Sequence, residues 1–137
     1  MKLLKLIPAA AIVLTAFTTF EGKAELHCLK NDGAYVARVS VKNKTSGGTK
    51  TSSSFNNPSS KCIKLSNFVD EGDQFHVYLT VIDGGTAAYT AGTRDCSQNL
   101  TRSSASSGKT YNYHATGTTD STGLNEYKCM SNYSSYP

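Results

Sequence analysis

Two segments of the chain alternate apolar and polar residues with the two-residue period of a half-buried strand. In residues 34–42, "AYVARVSVK", Tyr35, Ala37, Val39 and Val41 fall on one face while Arg38, Ser40 and Lys42 fall on the other. Residues 75–81, "FHVYLTV", repeat the pattern with Phe75, Val77, Leu79 and Val81 inward and His76 on the polar side. Residues 61–65 ("KCIKL"), 109–116 ("KTYNYHAT") and 124–130 ("LNEYKCM") are shorter or more polar strand candidates. No window sustains a helical period. Turn signals separate the candidates: Asn31-Asp32-Gly33, Asp70-Glu71-Gly72-Asp73, Asp83-Gly84-Gly85 and residues 117–123. About seven short strands divided in this way predict an all-β chain folded as an antiparallel β-sandwich with Greek-key-like connections.

Residues 45–60 ("TSGGTKTSSSFNNPSS") and 97–108 ("SQNLTRSSASSG") hold too few apolar positions for core strands and read as long polar surface loops. Cys28 and Cys62 each open a Cys-aliphatic-Lys stretch that runs on through a turn into a strand, an echo too short to establish a duplication. The cysteines, Cys28, Cys62, Cys96 and Cys129, are even in number and lack the close Cys-x-x-Cys pairs of a zinc site, so two disulfides are expected. Their pairing is open. If every link were a simple hairpin, Cys62 would stand at the opposite end of the sheet from the other three, so at least one connection should cross between sheets.

Composition enters mainly through the N-terminus. Lys2 and Lys5 precede the apolar run "LIPAAAIVLTAF", and Gly22 and Ala24 place small residues where a signal peptidase needs them. Residues 1–24 are therefore expected to be a cleaved signal peptide, its Lys-rich start of bacterial type, and residues 25–137 a single sandwich domain. The apolar run is too short to span a bilayer, and no second one follows, so no membrane span is expected after cleavage. Secretion to the exterior, or to a periplasm, suits the disulfides. The whole chain of 137 residues carries a formal charge of +4. Lys2, Lys5 and Lys23 lie in the signal, and no dense Lys/Arg stripe remains that would neutralise a phosphate backbone, so nucleic acid is not an expected partner.

The stretch Asp70-Glu71-Gly72-Asp73 could offer Asp70, Glu71 and Asp73, with Asp83 nearby, to calcium; it lacks EF-hand spacing, and a polar turn needs only Gly72. No cofactor is expected, and calcium is the less favoured reading. His76 and His114 could meet across a sheet if their strands were neighbours, and with Glu71 and Arg94 they hold the residue types of a small secreted nuclease. No nucleophile elbow, phosphate loop or dinucleotide fingerprint occurs, and no catalytic residue is assigned. Tyrosine is the fuller signal, eight residues with no tryptophan. Tyr35 and Tyr111 are expected in the core. Asn112, Tyr113, Tyr127, Tyr133 and Tyr136, with the Ser/Thr loops, have the composition of an adaptable recognition surface. Asn43, Asn99 and Asn132 head Asn-x-Ser/Thr triplets, glycan acceptors in a eukaryotic pathway and surface markers otherwise. The function these features predict is a secreted binding module for carbohydrate or a cell-surface protein. A small hydrolase, and a protease-inhibitor or toxin-like protein, are the alternatives.

Overall fold

A computed structural model describes residues 24–82, 90–119 and 127–137. The signal expected in residues 1–24 lies, except for Ala24, outside the described residues, as do Asp83 and its turn and the first residues of the 124–130 strand candidate. Nine strands occur among the described residues: Leu26–Asn31 (β1), Val36–Asn43 (β2), Thr49–Thr51 (β3), Ser60–Lys64 (β4), Gln74–Ile82 (β5), Thr90–Asp95 (β6), Leu100–Thr101 (β7), Thr110–Thr116 (β8) and Lys128–Ser131 (β9). One sheet has the order β4-β1-β8-β9, the other β3-β2-β5-β6, with β7 also paired to β5.

The two strongly alternating segments find each other. β2 and β5 run antiparallel with Val39 opposite Leu79 and Val41 opposite Val77, and all four are fully buried. Each such side chain, taken wholly out of water, contributes about 1.5–3 kcal/mol. A slip of one residue would turn every one of them to solvent, so the alternation itself pins the register. Leu29, Ile63, Leu65 and Tyr111 close the core from the opposite sheet and its approaches.

The sheets are antiparallel apart from one pair, since β1 and β8 lie parallel with Leu29 opposite Tyr113. The expected antiparallel sandwich holds with this one exception. The chain leaves β1 for the other sheet and returns from it into β8, so no tight turn joins these neighbours and they can run in the same direction. The chain passes between sheets at β1–β2, β3–β4, β4–β5 and β7–β8, which meets the expected need for a crossing and resolves the position of Cys62. β4 lies beside β1 with Cys62 opposite Cys28, and those two form one disulfide. Cys96 and Cys129 form the other, joining the end of β6 to β9 and so stapling one sheet to the other.

Both polar loops contribute more than surface. In 45–60, β3 pairs along the edge of β2, and Phe55 is buried, exchanging two backbone hydrogen bonds of 2.9 Å with Ala37. A single aromatic in a polar run carries no period, so the pattern hides it. In 97–108, β7 is followed by a 3-10 turn at Ser104–Ser106 whose N-cap is the Ser103 side chain, and Arg102 and Ser106 are buried. Buried Asn31 shapes the β1–β2 crossover: its carbonyl accepts from Gly33 N–H and its amide donates to the Tyr35 and Phe55 carbonyls.

Candidate functional site

The Asp70–Asp73 stretch is a turn, and the turn has a task. Gly72 has φ of +89°, the left-handed conformation that glycine adopts at no steric cost. Asp73 Oδ2 accepts from Asp70 N–H and from the Asn43 amide, and Glu71 Oε1 accepts from Ser104 N–H. The carboxylates thus fasten backbone, and no group of three or more His, Cys, Asp or Glu side chains able to hold a metal occurs among the described residues. The turn, the favoured reading of Asp70, Glu71 and Asp73 over calcium, is the one their hydrogen bonds describe. The same turn grips Arg102 by its backbone: Gly72 N–H donates to Arg102 O and Arg102 N–H donates to Asp73 O, both at 2.9 Å.

Held there, Arg102 reaches into a sealed polar cluster that the sequence did not predict. Its Nη1 donates to Glu25 Oε1 at 2.9 Å. Glu25 Oε2 lies 2.6 Å from His27 Nε2 and accepts from Tyr136 O–H at 2.8 Å. His27 Nδ1 is 2.7 Å from the Tyr113 hydroxyl, which is 3.3 Å from that of Tyr133. Glu25 and His27 are wholly buried, and the imidazole stacks on the Tyr111 and Tyr113 rings with Phe75 against its edge. An ionised carboxylate in such a place must be paired, and Arg102 supplies the pair. Burial pushes the His27 imidazole below its ordinary value, more strongly than the Glu25 hydrogen bond raises it. Burial, the largest cause, pushes the Tyr113 phenol up.

The reason this cluster escapes a reading of periodicity is its phase. In residues 25–30, Glu25, His27 and Leu29 face inward while Leu26, Cys28 and Lys30 face the other way; two of the three inward residues are polar and two of the three outward ones are not, so hydrophobicity assigns the wrong face. Arg102 stands in a Ser/Thr run with no period at all.

Beside this cluster a groove of about 760 Å³ runs between the edges of β6 and β9, floored by the Cys96–Cys129 disulfide. Tyr133, Tyr136, Leu100 and Met130 give it apolar surface, and Asp95 and Gln98 with Ser97, Ser131 and Ser134 give it hydrogen-bonding groups. Met130 is 51% exposed, the one large hydrophobic so exposed among the described residues. Of the five residues predicted for recognition, the groove takes Tyr133 and Tyr136, both half-buried. Tyr113 and Tyr127 do not reach the surface: Tyr113 is 1% exposed at the heart of the cluster, and Tyr127 is 3% exposed. The Tyr127 ring packs where Gly92 leaves room, since a Cβ there would lie 2.0 Å from its hydroxyl, and Arg94 sits 4.2 Å above the ring. Asn112 is exposed on the outer face of β8, away from the groove, and its carbonyl accepts from Asn132 N–H.

The histidine pair is not assembled. His76 is on β5 and His114 on β8, in different sheets, so they cannot meet across one. His76 lies 3.5 Å from Asp95, and burial lowers its pKa against the pull of that carboxylate. His114 bonds Asp32, Glu71 holds the 3-10 turn, and Arg94 lies over Tyr127. Of the Asn-x-Ser/Thr triplets, Asn43 is buried and hydrogen-bonded on both sides of its amide, whereas Asn99 and Asn132 are exposed and flank residues of the groove.

Fold and site together define a small, disulfide-bonded, all-β sandwich with a polar-aromatic groove at its stapled edge. No family model matches the chain, and no curated protein matches it. Among solved structures, the membrane-binding domain of pneumolysin is similar over 83% of this chain and 100% of its own length, with a TM-score of 0.46 and 14% identity. The crystal structure of listeriolysin O is similar over 82% of this chain, with a TM-score of 0.43 and 18% identity. A Gram-negative toxin is similar over 82%, with a TM-score of 0.42 and 14% identity. The chain spans 23% of the length of listeriolysin O and 23% of the Gram-negative toxin.

Proposed function

We propose that the chain is a secreted binding module that takes carbohydrate, or an extended segment of a cell-surface protein, in the groove between β6 and β9. The observation that carries this reading is the groove itself, about 760 Å³ with phenol rings, hydroxyls, an amide and a thioether on its walls and no Lys or Arg among its described lining residues. The groove is open to solvent, and the mixture suits a neutral, hydroxyl-rich ligand laid along it: rings supply contact area, while Ser, Gln and Asp supply directional bonds. Paired disulfides suit an oxidising compartment, and no described helix is long and apolar enough to cross a membrane.

The test is a glycan array probed with the oxidised chain, in calcium and in chelator, followed by NMR mapping of any hit and of cell-surface protein fragments. Ligand-dependent shifts should centre on Gln98, Met130 and Ser131 and persist in chelator. Gln98→Ala and Met130→Asp should each weaken binding about tenfold, a loss of about 1.4 kcal/mol, with stability unchanged within about 0.5 kcal/mol. Shifts that map elsewhere, or no ligand in either class, would remove the reading.

A further inference from the structure

We infer that the C-terminal segment, residues 132–137, is a strap along the groove that acid releases, with His27 as its latch. The consequence for ligand binding rests on the groove being the ligand site; the latch itself does not.

The attachment of this segment is narrow. Among the described residues its backbone hydrogen bonds to the body end at Asn132. Beyond that point, the side chains of Tyr133 and Tyr136 hold it, the first phenol bonded to Tyr113 and the second to Glu25 and Ser106, with their rings against Tyr111, Tyr113, His27 and Phe75. Both tyrosines also line the groove. The strand before the strap cannot leave with it, because Cys129 of β9 is stapled to Cys96. The segment therefore has a fixed root at β9 and a tip held by two side chains.

The bonds holding the tip close in only one proton arrangement while His27 is neutral. Glu25 accepts from Arg102 and Tyr136, so His27 Nε2 donates to Glu25 Oε2. His27 Nδ1 then accepts from Tyr113 O–H, and the Tyr113 oxygen accepts from Tyr133. Protonation at Nδ1 turns this acceptor into a donor. Tyr113 must then point its hydrogen at Tyr133, which must point its own away, and the sealed cluster gains a net positive charge where Glu25 and Arg102 had balanced. The groups facing His27 offer no second carboxylate: Glu25 comes from its own strand approach, Arg102 from the β7–β8 segment, Tyr111 and Tyr113 from β8, Phe75 from β5, and Tyr133 and Tyr136 from the strap. A buried, uncompensated charge is relieved by admitting water, and the part with least holding it is the strap. Lowering of the His27 pKa by burial places the event on the acid side of the ordinary histidine value.

The experiment uses the full oxidised chain, without ligand. Amide exchange of residues 133–136, corrected for intrinsic rates, is followed from about pH 7 downward until the His27 ring has titrated by NMR or the chain unfolds. Strap exchange should rise about tenfold or more at the midpoint of the His27 titration, with β5 amides unchanged. In His27→Gln the strap should stay protected across the range. Should that variant fail to fold, Tyr136→Phe, which keeps the ring and removes one anchor, should move the release to higher pH. Flat strap exchange while His27 titrates, a His27 that titrates only on global unfolding, or release unchanged in the variants would overturn the inference. A chain that binds no glycan or protein would leave the latch result standing, and a flat strap would leave the groove reading standing.

Discussion

The two ends of this sandwich core are built on opposite principles. Along β2 and β5 the core is apolar, Val39, Val41, Val77, Leu79 and Val81 lying side by side on the inner face of one sheet with no side-chain polar atom to satisfy. At the β1 end it is ionic: Glu25, His27 and Arg102 lie inside a ring of tyrosines, and every bond depends on another. The apolar end tolerates error gradually, because dispersion and burial are sums of small contributions. Its polar counterpart fails abruptly, since a single missing partner leaves a charge without water or counter-ion. Responsiveness belongs to the second kind, because only there can one proton change the state of the whole.

The sharpest way to break this contrast is Arg102→Met. It strands the Glu25 carboxylate, and urea unfolding should report a loss of about 3–5 kcal/mol. Adding Glu25→Gln to it should recover much of that, because the cost is the unpaired charge rather than the missing contact. Leu79→Ala, at the apolar end, should cost about 2–5 kcal/mol with no change in the pH dependence of stability. Gly92→Ala forces a Cβ into the Tyr127 hydroxyl and should cost about 1–3 kcal/mol by displacing the ring. Tyr136→Phe removes one charge-assisted bond at the polar end and should cost about 1.5–3 kcal/mol, less wherever water reaches the half-buried site.

Acid separates the two ends by sign. The folded pKa of His27 lies below its unfolded value of 6.5. Its contribution is therefore complete above about pH 6.5 and is lost as the pH falls through the lower, folded value. Melting temperature should drop on acidification in the parent chain and drop less in His27→Gln, measured by circular dichroism. Calcium at millimolar concentration should leave the melting temperature unchanged, since the Glu71 and Asp73 carboxylates are already occupied with backbone and amide donors.

The apolar end was legible from the residues because alternation encodes both the strand and its buried face. Tyr35, Ala37, Val39, Val41, Phe75, Val77, Leu79, Val81, Tyr111 and Ala115 all lie inward as the period predicts. The polar end was not legible, and the reason is specific. Glu25 and His27 sit in the inward phase of β1, where a carboxylate and an imidazole read as solvent-facing, and only Arg102, distant in sequence, makes their burial tolerable. Composition points to the tyrosines as a group, and of these Tyr133 and Tyr136 line the groove, whereas Tyr113 shares its strand face with Tyr111, as alternation places it. The structure buries it in the core. Glu71, His76, Arg94 and His114 share residue types with an acid–base site, and the crossings between sheets scatter them.

The sequence by itself determined what depends on neighbours along the chain: the β class, the buried faces of β2 and β5, the turn at Gly72 and the presence of two disulfides. Tertiary structure alone decided which cysteines pair, that β1 lies parallel to β8, and that the Asp70–Asp73 turn carries Arg102 to Glu25. Period and propensity are local quantities, while charge pairing inside a core depends on what distant segments bring to the same few ångströms.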